Sequence, residues 1–351
     1  MKKRYLFYVS QVYSLAILRP LQELILQRGD EAAWFFDSSQ AGAAHLHEGE
    51  RRLATVAEVK AFNPHAVFVP GNEVPDFFPG VKVEVFHGLA NDDTGKKGHY
   101  RIRGFFDLYC THAPEGTRNF LELTKKHPHF RVVETGWPKV DPLFRQAEQN
   151  DLRRQLGIIK PTVFYASTFS PSLTSAPTLV DEIGRLSRLG NWHWLVTLHP
   201  KMEPQVVESY RRLTGPHLTF FESSQDVIPL MRAGDVMLCD TSSIALEFML
   251  LDKPVVTFRA KVPGPQVIDV RQIDDLQGAL EKAFTRPAQQ MARMRTYIDR
   301  LHPHRDGRSS ERVLKAVDEL IEAGPPALFS KPRNLLRRIK IRRKLGYYLW
   351  R

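Results

Sequence analysis

Several features that define other protein classes are missing from this 351-residue sequence. It has two cysteines, Cys110 and Cys239, both inside apolar runs, which indicates buried residues in a reducing compartment and not a disulfide framework. No apolar run approaches the roughly 20 residues of a membrane-spanning helix. A glycine-rich dinucleotide fingerprint, a Walker loop, an Asp-x-Asp pair and a His/Cys cluster are also missing. We therefore predict no cofactor and no metal.

Acidic residues are absent from the last 21 residues, KPRNLLRRIKIRRKLGYYLWR, which contain nine Lys or Arg. The preceding chain has 41 basic and 39 acidic residues, so the net charge of +11 belongs mostly to this tail. Basic residues mixed with Leu, Ile, Tyr and Trp are typical of a helix on an anionic membrane surface. A nucleic-acid-binding arm and a solvated disordered end have similar compositions. We favour an anionic membrane bound by residues 331–351, and no nucleic acid, because the body is nearly neutral.

The N-terminal run MKKRYLFYVSQVYSLAIL has the charge and apolar content of a signal peptide. Ser10 and Gln11 interrupt it, however, and no small-x-small cleavage site follows. We interpret it instead as a first strand and helix. Together with the basic tail, this predicts a cytoplasmic protein that lies peripherally on the inner face of the plasma membrane.

Short apolar runs alternate with helical patterns along the chain, which predicts an α/β protein with parallel sheets. The predicted strands are 4–9, 32–36, 66–69, 82–86, 105–110, 130–133, 162–166, 193–198, 218–221, 236–239 and 254–258. Helix candidates include 115–127, 176–189, 203–213, 242–251 and 308–323. The pattern breaks near 137–160, where two prolines precede a charged helix, so we expect two Rossmann-like halves. The predicted parts are a domain 1–145, a domain 146–324 and a basic tail 325–351.

In open parallel sheets, ligands bind at the carboxyl ends of strands, so polar residues there are candidates for chemistry. The predicted strand KVEVF ends in His87-Gly88. His87 is a candidate general base, since imidazole titrates near neutral pH. The plainer alternative is a hydrogen-bonded histidine beside a surface loop.

Two further turns follow strands of the second half. HWLVTL ends in His199-Pro200-Lys201, and a histidine with a lysine can hold a phosphate. TVFYA is followed by Ser167 and Thr168 in a loop rich in hydroxyl groups. For either turn taken alone, a capped strand end or a polar loop is an adequate explanation.

The segment DTSSIALEFMLLDKPVV, 240–256, carries Thr241, Ser242 and Ser243 where a strand meets a helix. Free amides and hydroxyls at such a point can bind an anion. Helix capping is the alternative, and it accounts for one hydroxyl of the three. Glu247 lies at the edge of the apolar stripe or points to a ligand hydroxyl. In HPHRDGRSSERV, 302–313, Ser309 or Ser310 is a candidate cap for the last helix.

These turns, in this order, resemble the CDP-glycerol glycerophosphotransferase family. The matching segments are FHG at 86–88, TGWPKVDPLF at 135–144, YASTF at 165–169, LHPK at 198–201, DTSSIALEFMLLDKPVV at 240–256 and DGRSSERV at 306–313. The resemblance implies two Rossmann-like domains facing a cleft, as in glycosyltransferase-B enzymes. The first would bind the acceptor and the second the nucleotide donor.

The resemblance also implies residue roles. His87 would be the base for the acceptor hydroxyl. His199 would bind or polarise the pyrophosphate of CDP-glycerol or a related nucleotide donor. Ser167, Thr168, Lys201, Thr241, Ser242, Ser243 and Glu247 would complete the donor site. Glycerol phosphate would pass to a glycan or lipid-linked acceptor, with release of CMP, in surface polysaccharide synthesis of the teichoic acid type.

Two other functions are compatible with the same residues. His-Pro and Ser-x-x-x-Glu features also occur in nucleotide-sugar glycosyltransferases and UDP-sugar 2-epimerases. A non-catalytic binding protein is the alternative from another class. A preference for a UDP-sugar over CDP-glycerol would indicate a glycosyltransferase or an epimerase. Binding of neither nucleotide donor would indicate a non-catalytic binding protein.

Overall fold

The structure is a computed structural model that describes residues 2–37, 44–89, 100–145, 152–222, 226–324 and 331–348. The chain divides into two compact units. The first contains residues 1–144 and 300–351, and the second contains residues 145–299. Each unit is built on its own six-stranded parallel sheet flanked by helices.

The sheet of the first unit has the strand order β2-β1-β3-β4-β5-β6. Its strands are β1 Arg4–Val9, β2 Glu31–Phe36, β3 Ala66–Val69, β4 Val81–Glu84, β5 Leu108–Thr111 and β6 Arg131–Glu134. All neighbours pair in parallel. β1, β2, β3 and β5 consist mainly of buried apolar residues, as expected for strands of a parallel sheet that is covered on both faces. β4 contains the buried Lys82 and Glu84, and β6 is only partly buried.

The helices of the first unit are α1 Ser14–Gln27, α2 Val56–Phe62, α3 Pro114–Thr124, the short α4 Asp141–Phe144, α12 Ser309–Ala323 and α13 Leu335–Lys344. α12 packs against α1. Asp318 on α12 accepts hydrogen bonds from Lys3 at 2.7 Å, Tyr5 at 3.0 Å and Arg28 at 2.6 Å. These contacts explain why residues 300–324 belong to the first unit, whereas the sequence pattern placed them in a second domain, 146–324.

The basic tail is also part of the first unit where it is described. Ile341 of α13 joins a buried cluster with Phe35 and Phe78. Three basic side chains pair with buried or half-buried acids: Lys331 with Asp107 at 2.7 Å, Arg342 with Asp76 at 2.9 Å and Lys344 with Asp37 at 2.7 Å. The prediction of a separate tail 325–351 is therefore corrected for residues 331–348, and residues 325–330 and 349–351 lie outside the described ranges.

The sheet of the second unit has the order β12-β11-β10-β7-β8-β9. Its strands are β7 Thr162–Ser167, β8 His193–Leu198, β9 Leu218–Phe221, β10 Val236–Cys239, β11 Val255–Phe258 and β12 Ile268–Val270. Its helices are α5 Leu152–Gln155, α6 Ala176–Leu189, α7 Pro204–Arg211, α8 Ile228–Ala233, α9 Ile244–Met249 and α10 Leu276–Phe284. α11, Ala288–Leu301, runs across the division between the units.

The predicted α/β fold with parallel sheets is confirmed, and each predicted strand has a counterpart in the structure. The edge strand β12 was not predicted, because it has three residues, Ile268, Asp269 and Val270, in a polar segment. None of the helices in the described ranges combines the length and apolar character that a membrane crossing requires.

Candidate active site

Three of the predicted polar turns start side by side at one edge of the second sheet. β7 lies between β10 and β8, and the register pairs Ala166 with Cys239 and Ser167 with Leu198. The turns that begin at Thr168, His199 and Asp240 are therefore neighbours. The chain passes from β7 to β8 in one direction and reaches β10 on the other side, so the strand order reverses at β7. Such a reversal is where open α/β sheets bind ligands.

Asp240 organises this edge of the sheet. Its buried carboxylate accepts hydrogen bonds from the backbone N–H of Thr168 at 3.0 Å and of Ser175 at 2.9 Å. The hydroxyls of Ser167 and Ser175 also donate to it. One carboxylate thus fixes both ends of the loop 168–175. A buried carboxylate requires such donors, because removing the charge from water is costly without them.

The candidate hydroxyls fall into two groups. Ser167 donates to Asp240, and the Thr241 hydroxyl accepts the backbone N–H of Lys261 at 2.9 Å. The hydroxyls of Thr168, Ser242 and Ser243 have no hydrogen-bond partner among the residues that the structure describes. Hydroxyls of the second group can donate to a bound ligand without breaking a bond in the protein.

His199 lies beside Phe169, which follows β7. Their ring centroids are 4.3 Å apart, and the Lys201 ammonium lies 5.5 Å from the Phe169 ring centroid. Burial, with a smaller effect of Lys201, lowers the pKa of His199 below its ordinary value, so the ring is neutral at neutral pH. Its Nδ1 accepts the backbone N–H of Lys201 at 3.1 Å. In the neutral ring the proton is therefore on Nε2, which can donate to a phosphate oxygen.

The helix that follows the hydroxyl cluster is shorter than predicted. α9 covers Ile244–Met249, and Ser243 at its N-cap makes no capping hydrogen bond through its side chain. Glu247 is buried, with 5% of its surface exposed. The structure thus brings Thr168, His199, Ser242 and Ser243 to one edge of the sheet, while Glu247 is buried within α9.

In the first unit, His87 follows β4 and is exposed. Its Nδ1 lies 3.3 Å from the Pro70 carbonyl, beyond the adjacent strand β3. The Tyr13 ring, which is 47% exposed in the turn after β1, lies 6.0 Å from the His87 ring, centroid to centroid. Tyr13 was not a predicted site residue. The only signal for it was its position just after the first strand.

The start of α12 is capped by a residue from another motif. The Asp141 carboxylate accepts the backbone N–H of Ser309 at 2.8 Å and of Ser310 at 2.7 Å. The expectation that Ser309 or Ser310 supplies the cap is therefore wrong. A carboxylate caps more strongly than a hydroxyl because it also interacts with the helix dipole. In the described ranges, no group of three or more His, Cys, Asp or Glu side chains is arranged to hold a metal.

Comparison with known families agrees with the predicted resemblance. Residues 88–319 match the family described as CDP-glycerol:poly(glycerophosphate) glycerophosphotransferase. Because the match covers more than half of the chain, the protein belongs to this family, whose described chemistry is phosphotransfer. The match begins at Gly88, directly after His87.

Two curated relatives are teichoic acid enzymes. The chain is 26% identical to the teichoic acid ribitol-phosphate polymerase TarK of Staphylococcus aureus over 71% of its own length and 52% of that protein. It is 23% identical to the teichoic acid glycerol-phosphate primase of Bacillus subtilis over 68% of its own length and 64% of that protein. The chain thus spans between half and two thirds of the length of these relatives.

Solved structures share the fold. The wall teichoic acid polymerase TagF superposes with a TM-score of 0.64 at 16% identity, over 92% of this chain and 89% of the other. A UDP-N-acetylglucosamine 2-epimerase superposes with a TM-score of 0.58 at 17% identity, over 95% and 99%. At such low identity these likenesses establish the glycosyltransferase-B type of fold and nothing about the substrate.

Proposed function

We propose that this protein transfers glycerol phosphate from CDP-glycerol to a hydroxyl of a glycan or lipid-linked acceptor and releases CMP. The observation that carries the proposal is a grouping at the strand-order reversal of the second unit. There, three hydroxyls that have no hydrogen-bond partner among the described residues lie at the same sheet edge as a histidine held neutral. Family membership supports the choice of CDP-glycerol over a nucleotide sugar.

The residue types fit a pyrophosphate. The hydroxyls of Thr168, Ser242 and Ser243 and the Nε2–H of His199 are neutral donors, and Lys201 adds a positive charge. Donors aimed at phosphate oxygens stabilise the charge that builds up in phosphoryl transfer, which depends mainly on positioning and electrostatics. Ser167 would act indirectly, since its hydroxyl is bound to Asp240. Thr241 would donate while also holding the loop at Lys261. In this proposal Glu247 contacts a hydroxyl of the donor, which we assign to its ribose.

In the proposed reaction, the acceptor oxygen attacks the phosphorus that bears glycerol. A new phosphorus–oxygen bond forms, the bond from that phosphorus to the bridging oxygen breaks, and CMP leaves with the electron pair. His87 takes the proton of the attacking hydroxyl as the base. CDP-ribitol is the obvious competing donor, since TarK is named for ribitol phosphate and the B. subtilis primase for glycerol phosphate.

Calorimetric titration of the full chain tests the donor. We expect saturable binding of CDP-glycerol, weaker binding of CDP-ribitol and none of UDP-N-acetylglucosamine. His87→Ala should keep the affinity for CDP-glycerol and lose CMP release, whereas His199→Ala should lose affinity. Preference for the UDP-sugar would indicate a glycosyltransferase or an epimerase instead of a glycerol phosphate transferase. Binding of none of the three would refute the donor site. Loss of affinity in His87→Ala would remove His87 from the role of base.

We also propose that the protein lies on an anionic membrane at the inner face of the plasma membrane. The support is the outer side of α13, where Leu336 is 85% exposed and Lys340 and Arg343 are exposed nearby. Positions 336, 340 and 343 share one face of a helix. Each basic residue near such a surface contributes about 1 kcal/mol.

Flotation with vesicles containing phosphatidylglycerol tests this surface. The double variant Lys340→Glu, Arg343→Glu should bind at least about tenfold more weakly. Arg188→Glu, Lys282→Glu changes the net charge equally at exposed positions of the second unit and should bind as the native protein does. Equal flotation of both variants would contradict the proposal. Binding of native protein to DNA but not to vesicles would favour the nucleic-acid alternative.

A further inference from the structure

The backbone just before His87 has an unusual conformation. Phe86 has a φ of 59°, in the left-handed region that non-glycine residues rarely adopt. This conformation costs about 1–3 kcal/mol and persists only where the surroundings impose it. It also sets the direction in which the next residue leaves the strand. What holds Phe86 therefore determines where the His87 imidazole lies.

Two buried side chains bond successive carbonyls at this point. The Trp137 indole Nε1–H donates to the Phe86 carbonyl at 3.3 Å. The His112 Nε2 lies 3.3 Å from the Val85 carbonyl. Because a carbonyl only accepts, His112 carries a proton on Nε2 in this bond. The Phe86 ring is itself buried, 5.5 Å from the His112 ring and 5.4 Å from the Phe120 ring, centroid to centroid.

Trp137 is in turn held by the segment that joins α11 to α12. Its backbone N–H donates to His302 Nε2 at 2.8 Å, and His302 is fully buried. The preceding Gly136 has a φ of 78°, and a Cβ there would lie 2.5 Å from the Ser309 hydroxyl. The Asp141 carboxylate fastens the same segment to the amides of Ser309 and Ser310. The segments TGWPKVDPLF and DGRSSERV are thus joined next to Trp137.

We propose that Trp137 and His112 are positioning residues for His87: by bonding the carbonyls of Phe86 and Val85 they hold the strained backbone that aims the imidazole. The inference rests on the proposed function, in which His87 is the base. It also gives a role to the segments TGWPKVDPLF and DGRSSERV, which supply no group to the proposed chemistry. Buried carbonyls need donors anywhere in a core, and here the two donors act on the two residues directly before the candidate base, one of which has a positive φ.

Trp137→Phe tests the inference because it removes the indole donor and keeps an aromatic ring. We expect the rate of CMP release at saturating CDP-glycerol to fall about 10- to 100-fold, since small misplacements of a reacting group have effects of that size. The calorimetric affinity for CDP-glycerol should change less than twofold. Trp194→Phe, a buried tryptophan of β8 whose Nε1 has no partner among the described residues, is the matched control for lost volume.

A pair of variants at His112 gives a second test that does not depend on the tryptophan. The amide of His112→Gln can still donate to the Val85 carbonyl, whereas His112→Phe cannot. We expect the glutamine variant to keep most of the turnover and the phenylalanine variant to lose it. If Trp137→Phe does not fold, this pair decides the question. Equal turnover in the two His112 variants, or native turnover in Trp137→Phe, would overturn the proposal.

An observation without turnover separates this inference from the proposed function. NMR spectra of protein with isotope-labelled histidines give this observation. The imidazole signals of His87 are identified as those that disappear in His87→Asn. They should shift in Trp137→Phe and remain unchanged in Trp194→Phe. Such a shift in a protein that does not use CDP-glycerol would support the positioning role and refute the donor. An unshifted signal would refute the positioning role whatever the donor.

Discussion

Asp240 and Ser175 are joined by two hydrogen bonds, because Asp240 Oδ2 accepts both the backbone N–H of Ser175 at 2.9 Å and its hydroxyl at 3.0 Å. The other carboxylate oxygen accepts the backbone N–H of Thr168. The loop between these residues therefore depends on a side chain from the neighbouring strand. This bond holds Thr168, whose hydroxyl is a candidate hydrogen-bond donor to the phosphate.

Asp240→Asn should lower both stability and donor affinity. The amide keeps one acceptor oxygen but turns an N–H₂ group towards donors, so at least one buried N–H loses its partner. We expect the free energy of unfolding to fall by about 1–3 kcal/mol. CDP-glycerol binding should weaken because the loop at Thr168 is displaced. Urea unfolding and calorimetry measure the two effects.

The control for this change is Asp252→Asn, which removes surface ion pairs with Arg286 and Arg295 in the same unit. Exposed pairs of this kind contribute at most about 1 kcal/mol. We therefore expect a small loss of stability and an unchanged affinity for CDP-glycerol. The interpretation of Asp240 fails if Asp240→Asn matches the native protein in both measurements.

The hydroxyls of the cluster should not be equivalent. Ser242→Ala removes a hydroxyl that has no partner in the described protein, so stability should change by less than about 0.5 kcal/mol. Its affinity for CDP-glycerol should fall about tenfold or more, since a hydrogen bond to a charged group contributes about 1.5–3 kcal/mol. Thr241→Val should lose less affinity and more stability, because the Thr241 hydroxyl accepts from Lys261.

Ser209→Ala is the matched control for these variants. Its hydroxyl bonds the Gln205 carbonyl on an exposed helix and lies in no candidate site. We expect both affinity and stability to stay at native values. A larger loss of affinity in Thr241→Val than in Ser242→Ala would contradict the assignment of Ser242 as a ligand contact and of Thr241 as mainly a structural residue.

The strands and the order of the polar turns could be predicted from the sequence because each depends on local patterns. Buried parallel strands are apolar runs, and the polar residues come directly after them. The grouping of Ser167 with Asp240 could not be predicted in this way, since the two are 73 positions apart. It depends on β10 pairing with β7, and apolar runs do not specify strand order.

The sequence also could not predict which of the candidate side chains form hydrogen bonds within the protein. Ser167 and Ser242 belong to similar hydroxyl clusters, but the Ser167 hydroxyl bonds the Asp240 carboxylate and the Thr174 hydroxyl, whereas the Ser242 hydroxyl has no partner among the described residues. The basic tail shows the same limit. Its composition fits a membrane helix, yet whether a lysine pairs with Asp37 or faces solvent depends on contacts some 300 positions away.

The buried His302 should make the protein sensitive to acid. Burial, followed by repulsion from His304, lowers the pKa of His302 to about 3, whereas an unfolded histidine titrates near 6.5. Between these values the unfolded chain binds a proton that the folded protein does not, so stability falls as the pH falls. From pH 7.5 to pH 5 this group alone should remove about 2 kcal/mol from the free energy of unfolding.

His302→Gln isolates this contribution, because its amide oxygen can accept the Trp137 N–H and does not titrate. Urea unfolding at pH 7.5 and pH 5 should show a loss about 2 kcal/mol smaller in the variant than in the native protein. If both proteins lose the same stability on acidification, His302 is protonated in the folded state or other groups compensate for it. Either result would contradict the predicted pH dependence.

The two sides of α13 should respond differently to the same substitution. Ile341 is 5% exposed in the core of the first unit and Leu336 is 85% exposed, although both are aliphatic residues of one helix. Ile341→Ala should lower the free energy of unfolding by about 2–5 kcal/mol, since it leaves a cavity. Leu336→Ala should change it by less than about 0.5 kcal/mol while weakening vesicle binding. Equal stability of the two variants in urea would show that residues 331–348 do not pack as an integral part of the first unit.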